Sequence, residues 1–213
     1  MRIPLFNRLR KQFHREIAML QDEVVEIVYA LSPDAVLHGG TTVWRCYSGN
    51  RFSEDLDFYL VPKEKFREQL KKTLESRGLF LLKYKKTKST IFSKISNGTV
   101  EIRLEVAIRN IREFEPRPFE RTDGSFIDVF TPSPEQLLLE KMEAYSNRKL
   151  IRDFYDIYTL SAIVSLDKKL SEKTLGFLEK AKKPLDEKNL KTIVFSGAIP
   201  SFEQMELAVK RRF

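Results

Sequence analysis

An α+β chain is predicted, with a mixed α/β part over 1–131 followed by a helical part over 132–213. Three observations predict it. Apolar residues recur at helical spacing over Leu5–Leu31. Between Ala35 and Phe130, short runs of alternating apolar and polar residues are separated by turn signals. Beyond "TPSPE" (Thr131–Glu135) the pattern becomes wholly helical.

The first helix carries Leu9, Phe13, Ile17, Leu20, Val24, Ile27 and Val28 on its apolar side and His14 on its charged side. Pro33 ends it, because the residue before a proline disfavours helical geometry. Ala35–His38 reads as a short strand, Thr41–Tyr47 as a short helix and Asp55–Val61 as a strand. Pro62 opens a helix over Lys63–Arg77, which Gly78 closes. Strand-like runs follow at Leu79–Tyr84, Thr90–Ile95 and Thr99–Ala107, with "SNG" (Ser96–Gly98) as a hairpin turn. "ERTDGSFIDVF" gives another turn and a strand ending at Phe130. Helix breaks are expected near Ser165, Pro184 and Pro200.

The 213 residues are 42% hydrophobic, enough for one large core or two small ones, and 32% charged with the signs interspersed. A net charge of +8 suits a polyanionic partner. The single cysteine, Cys46, excludes an intrachain disulfide and is expected to be buried beside Val43 and Trp44. No apolar run reaches the length of a membrane span. Met1–Arg15 is basic without the continuous apolar stretch of a signal peptide, so a cytoplasmic location is expected.

The chemistry is concentrated in "HGGTTVWRCYSGNRFSEDLDFYL" (His38–Leu60). Residues two apart on a strand share a face, so Asp55 and Asp57 project together while Leu56 and Phe58 face the other way. Two neighbouring carboxylates repel, and a divalent cation resolves the conflict. Mg²⁺ prefers such hard oxygen ligands and leaves positions for substrate phosphates; carboxylates accept Mn²⁺ as well. "VEIRLEVAI" offers a third carboxylate from a neighbouring strand: Glu105, deeper in the strand, or Glu101 in reserve. The glycine pair Gly39–Gly40 sits between a strand and a helix, where a turn can aim backbone N–H groups at a phosphate, with the Thr41 hydroxyl as a further donor.

With "GGTTVWRCY", "RFSEDLDF" and the downstream "EKMEAYSNRKLIRDFYDIY", the sequence resembles the nucleotidyltransferase superfamily, and within it the AbiEii/AbiGii toxin family of type IV toxin–antitoxin systems. The resemblance spans about Ala35–Tyr158. It implies a polymerase-beta-like fold, a mixed sheet flanked by helices, and a helical domain after it. It places Arg45, the arginine after the glycines, with the substrate-binding residues. The gap between the glycines and the first aspartate is longer than is usual in the superfamily, so the Ser48–Phe52 loop is expected to fold over the site. Arg51 and Ser53 share the strand parity of the aspartates. Arg51 is placed to pair with a carboxylate or a phosphate, and Ser53 to hydrogen-bond the metal-binding acids.

Downstream, Lys141, Tyr145, Arg148, Arg152 and Asp156 fall on one stripe of an expected continuous helix. Three cations on a stripe suit a triphosphate. The resemblance implies that Lys141 binds substrate phosphate and that Asp156 is a further active-site acid. Arg148 and Arg152 either bind phosphate, fix Asp156 or brace the two parts, and Asp153, off the stripe, is structural. The implied reaction is transfer of a nucleoside monophosphate from an NTP bound between the two parts to an acceptor hydroxyl, with pyrophosphate released. Asp55, Asp57 and Glu105 hold the metal, and Glu105 favours deprotonation of the hydroxyl. The resemblance points to the 3′ end of tRNA as acceptor, in keeping with "KYKKTKS" (Lys83–Ser89) and "KAKKP" (Lys180–Pro184), and to a cognate antitoxin. A protein or small-molecule acceptor, or a non-catalytic binding module of the same fold, stands as the alternative.

Overall fold

Strand β1 (Val36–His38) lies in the interior of a seven-stranded mixed sheet of order β3-β4-β5-β2-β1-β7-β6 in a computed structural model that describes residues 3–213; Met1 and Arg2, at the start of the expected first part, lie outside the described residues. The strands are β2 (Leu56–Leu60), β3 (Phe80–Lys86), β4 (Thr90–Ser96), β5 (Glu101–Ile108), β6 (Glu115–Glu120) and β7 (Phe126–Thr131). Pairing is parallel for β1–β7 and β2–β5 and antiparallel elsewhere. The chain divides into two compact units: one made of the residues up to Cys46 with Ser53–Pro132, the other of Tyr47–Phe52 with Ser133–Phe213.

In the sheet unit, Leu56, Phe58, Ile91, Ile95, Ile102, Leu104 and Val106 are buried on one face, as their alternation requires. Helices α2 (Gln12–Leu31) and α4 (Phe66–Ser76) pack with this unit, and Tyr29 of α2 meets Phe58 edge-on at 6.0 Å. Two expectations for the first helix are corrected. It is broken at 9–11 into α1 (Leu5–Arg8) and α2. On its apolar side Leu9, Ile17, Leu20, Val24, Ile27 and Val28 are buried as expected, but Phe13 is 52% exposed and His14 is buried instead of lying on the charged side. α4 starts at Phe66, later than expected, after Lys65 takes the left-handed conformation.

Strand β6, "EPRPFE", is not among the strands expected from the sequence, and its Pro116 and Pro118 cannot donate to a ladder. It forms at the sheet's edge, against β7 only, where prolines are tolerated.

The second unit contains α5 (Pro134–Arg148), α6 (Ile151–Ser161), α7 (Lys168–Leu178), α8 (Leu190–Ile193) and α9 (Phe202–Arg212). Its aromatic core joins Tyr145, Phe154, Phe177 and Phe202. The expected continuous helix through Arg152 is corrected: Lys149 adopts φ 52° and stops α5, and α6 begins two residues later. The Ser48–Phe52 loop runs with this unit. Arg51 bridges Val194, Phe52 N–H donates to Ile193 C=O at 2.8 Å, and Phe195 N–H donates to Asn50 C=O at 3.0 Å. The long gap in the motif therefore carries the chain out to the helical unit and back.

Candidate active site

Register assembles the acids of the sheet unit. Asp57 on β2 lies opposite Glu105 on β5 and, on its other side, opposite His38 on β1. Asp55 directly precedes β2, and its Oδ1 lies 3.2 Å from Arg103 Nε. All three acids are half-buried. Glu101 is four residues along β5, about 13 Å away at the strand rise, and pairs with Lys94. Geometry thus selects Glu105 over Glu101 as the neighbour of Asp57.

Gly39 makes the approach to Asp57 possible. Its φ is +79°, and a Cβ built there would lie 2.2 Å from Asp57 Oδ2. Both the backbone conformation and the space call for glycine. The glycines are the opening residues of α3 (Gly39–Cys46) itself, which begins ahead of the expected start at Thr41.

Two residues assigned to substrate are engaged within the protein. Thr41 is fully buried, and its hydroxyl donates to the Asp55 carbonyl at 2.5 Å, which ties α3 to the acid segment. Arg45 is buried, paired with Asp22, with its guanidinium over the rings of Trp44 and Phe119. Asp22 Oδ2 also accepts from the backbone N–H and hydroxyl of Thr122, at 2.8 and 2.6 Å. Sequence reading missed Gln21, whose Nε2 donates to the carbonyls of Ser53 and Glu54 at 2.9 and 3.1 Å. The only signal was the pair Gln21–Asp22 inside an otherwise apolar helical run. Through Gln21, the backbone of Ser53 is held in place just before the acids. Cys46 is half-buried, not fully buried as expected, and desolvation pushes its thiol up to about 12 against the pull of Arg45 and Arg117, which disfavours a thiolate at neutral pH.

In the helical unit, Asp156 on α6 is fully buried and shared by two cations. Arg51 binds it through Nε and Nη2 at 2.6 and 2.5 Å, and Lys141 Nζ on α5 lies 2.8 Å from Oδ2. Burial alone would raise the Asp156 carboxyl, but Arg51 and then Lys141 outweigh it and hold it below the usual range. Arg51 therefore pairs with Asp156 rather than with the aspartates of its own motif. Arg148 is not the partner of Asp156 either: it makes a bidentate pair with buried Asp153, at 2.6 Å for both bonds. Arg152 is exposed on α6.

Among the described residues no three His, Cys, Asp or Glu side chains already stand at metal-ligating separations. The donor set nevertheless fits Mg²⁺, which takes one or two carboxylates and completes its shell with water and phosphate oxygens. Asp55 currently has Arg103 as its counter-charge.

Among the described residues no helix is long and apolar enough to cross a membrane. No curated protein matches the chain. Its structure is similar to JHP933 from Helicobacter pylori (19% identity, 95% of this chain and 90% of that one, TM-score 0.67). It is also similar to MenT4, a nucleotidyltransferase toxin of Mycobacterium tuberculosis H37Rv (17% identity, 94% and 82%, TM-score 0.64). A more distant likeness is to ANT(2″)-Ia in complex with adenylyl-2″-tobramycin (10% identity, 76% and 97%, TM-score 0.50). At these identities the likenesses establish the fold. The family described as "Nucleotidyl transferase AbiEii toxin, Type IV TA system" matches residues 26–206, a span that includes the Gly39 turn, the Asp55–Asp57–Glu105 acids and the Lys141–Asp156 pair. The chain therefore belongs to the AbiEii nucleotidyl transferase toxin family and is a nucleotidyltransferase.

Proposed function

We propose that the protein transfers a nucleoside monophosphate from an NTP to the 3′-terminal hydroxyl of an RNA acceptor, tRNA foremost, with Asp55, Asp57 and Glu105 as the divalent-metal ligands. The observation that carries this reading is the β2–β5 register, which sets Glu105 opposite Asp57 while Gly39 brings backbone against the same carboxylate. Mg²⁺, or Mn²⁺ in its place, would neutralise charge building up on the phosphates when bound.

The remaining roles belong to the chain's own groups. Glu105 accepts the proton of the acceptor hydroxyl. The oxygen forms its bond to the α-phosphorus as the bond to the β-phosphate oxygen breaks, and pyrophosphate leaves with the electron pair. The backbone N–H groups at Gly39 and Gly40 face phosphate oxygens. The ammonium of Lys141 has three N–H donors, of which Asp156 engages one, and the others serve a phosphate oxygen. Asp156 acts as the anchor of Lys141 and Arg51 rather than as a free acid, and exposed Arg152 supplies further positive charge. An RNA acceptor agrees with the net charge of +8. Membership of a type IV toxin–antitoxin family makes a cognate antitoxin the expected partner.

The test is incubation with each labelled NTP, Mg²⁺ and total tRNA. Label is expected on tRNA with the parent protein and lost by at least 100-fold with Asp57→Asn. Equal labelling by both would refute the assignment.

A further inference from the structure

The face of the sheet that carries the acids continues beyond them, and its character changes across the strands. One row across the sheet reads Asp57, Glu105, Phe92 and Lys85, on β2, β5, β4 and β3. The next row reads Asp55, Arg103, Lys94 and Lys83, with Arg103 touching Asp55. Adjacent strands are about 4.8 Å apart, so Phe92 lies roughly 10 Å from Asp57 and Lys85 roughly 15 Å.

Phe92 is the anomaly. The residues beside it on β4, Ile91 and Ser93, turn into the core, whereas Phe92 lies half-exposed on the polar face. Two cations stand over its ring: Lys83 Nζ at 5.3 Å and Arg103 Cζ at 5.9 Å from the centroid. Lys83, Lys85 and Arg103 are themselves exposed. Beyond the three acids, the carboxylate on these rows' face is Glu101, which engages Lys94. Lysines on β3 alone would be explained as protection of an edge strand. That explanation does not place an aromatic ring between them, in register with the acids. A ring flanked by cations on an exposed sheet face is what single-stranded nucleic acid requires: a π-face for a base and positive charge for the phosphates beside it.

We propose that the polar face of β3–β4–β5 is the acceptor track. It binds an unpaired single-stranded nucleic-acid end, with a base stacked on Phe92 and the flanking phosphates on Lys83, Lys85 and Arg103. The inference rests on the reading of Asp55, Asp57 and Glu105 as the reacting end, since the track runs away from them. It adds that the acceptor is recognised as a strand with stacked bases.

The test measures binding without turnover. Fluorescence anisotropy of the full chain, in EDTA, is followed with a 5′-fluorescein single-stranded octaribonucleotide and with the octadeoxyribonucleotide of the same sequence. Binding of either supports the track, and the tighter one identifies the sugar preferred. Phe92→Ala is expected to weaken binding about 5- to 100-fold, and Phe92→Trp to retain it. The exposed pair Lys83→Gln/Lys85→Gln, which leaves the core untouched, is expected to reduce the slope of log K against log salt by about 1.4. Thermal midpoints confirm that each variant is folded. The track is overturned if the parent binds neither oligomer, or if Phe92→Ala and the lysine double variant both stay within twofold of the parent. The two readings fail separately. Phe92-dependent binding without nucleotide transfer to RNA would sink the transfer reading alone. Transfer to tRNA with kcat/KM for tRNA unchanged in Phe92→Ala would sink the track alone.

Discussion

At Gly39 a hydrogen atom occupies the place where a methyl group would lie 2.2 Å from Asp57 Oδ2. Alanine there must also adopt φ near +79°, which costs about 1–2 kcal/mol by itself. The carboxylate is the softer partner and would swing away. Gly39→Ala is expected to fold with a modestly lower thermal midpoint and to lose on the order of 100-fold in single-turnover transfer, the usual consequence of moving a reacting group by an ångström. An unimpaired rate would show that the position of Asp57 is not demanding. The glycine pair was legible in the sequence, and so was the shared parity of Asp55 and Asp57. The direction in which buried polar side chains turn was not. Thr41 and Arg45 lie on the same helix, α3, yet one hydrogen-bonds the Asp55 backbone and the other turns to Asp22. Both outcomes depend on Asp55 and Asp22, which folding brings into contact from elsewhere in the chain.

At the scale of elements, the instructive case is α5 and α6. Read as one helix, Lys141, Arg148, Arg152 and Asp156 form a stripe. The break after Arg148 destroys the stripe, but α6 then packs on α5 and returns Asp156 to within 2.8 Å of Lys141. Packing of two helices, rather than spacing along one, thus makes the Lys141–Asp156 pair. The break has no glycine or proline to announce it, because Lys149 itself takes the left-handed turn. Arg51 completes the arrangement from the loop that pairs with 193–195. Asp156→Asn would leave two buried cations without their anion, at a cost of about 3–5 kcal/mol. A urea unfolding midpoint lowered to match is the expected result, and a loss below about 1 kcal/mol would show that water or another group compensates. Strand β6 gives the opposite lesson. Its prolines correctly argue against an interior strand, and only its position at the sheet edge, a property of the whole sheet, makes them harmless.

At the scale of the whole molecule, the stability of the chain should fall in two stages on acidification. Burial, and then nearby Lys11, lower His14 to about 4, from 6.5. The unfolded chain therefore binds this proton first. The stability associated with neutral His14 is complete above pH 6.5 and is lost as pH falls through about 4. Asp156, held below its ordinary value, contributes stability that is present above the unfolded carboxyl range and is lost as pH drops through its folded value. Urea midpoints measured from pH 7 to pH 3 should decline in the upper window for the parent and be flatter there for His14→Gln, with the lower decline kept. A parent curve that is level between pH 6.5 and 4 would contradict the buried neutral imidazole.

The sequence by itself determined the α+β class, the glycine turn, the acid pair on one strand face and the family, because these depend on local periodicity and on residues close together along the chain. Tertiary structure decided which glutamate stands beside Asp57, which cations hold Asp156, that Thr41 and Arg45 face inward, and that residues 47–52 join the helical unit. Each of those is a choice among partners far apart in sequence. Strand register, helix packing and the burial of charge select one of them, and none of these quantities exists until the chain has folded.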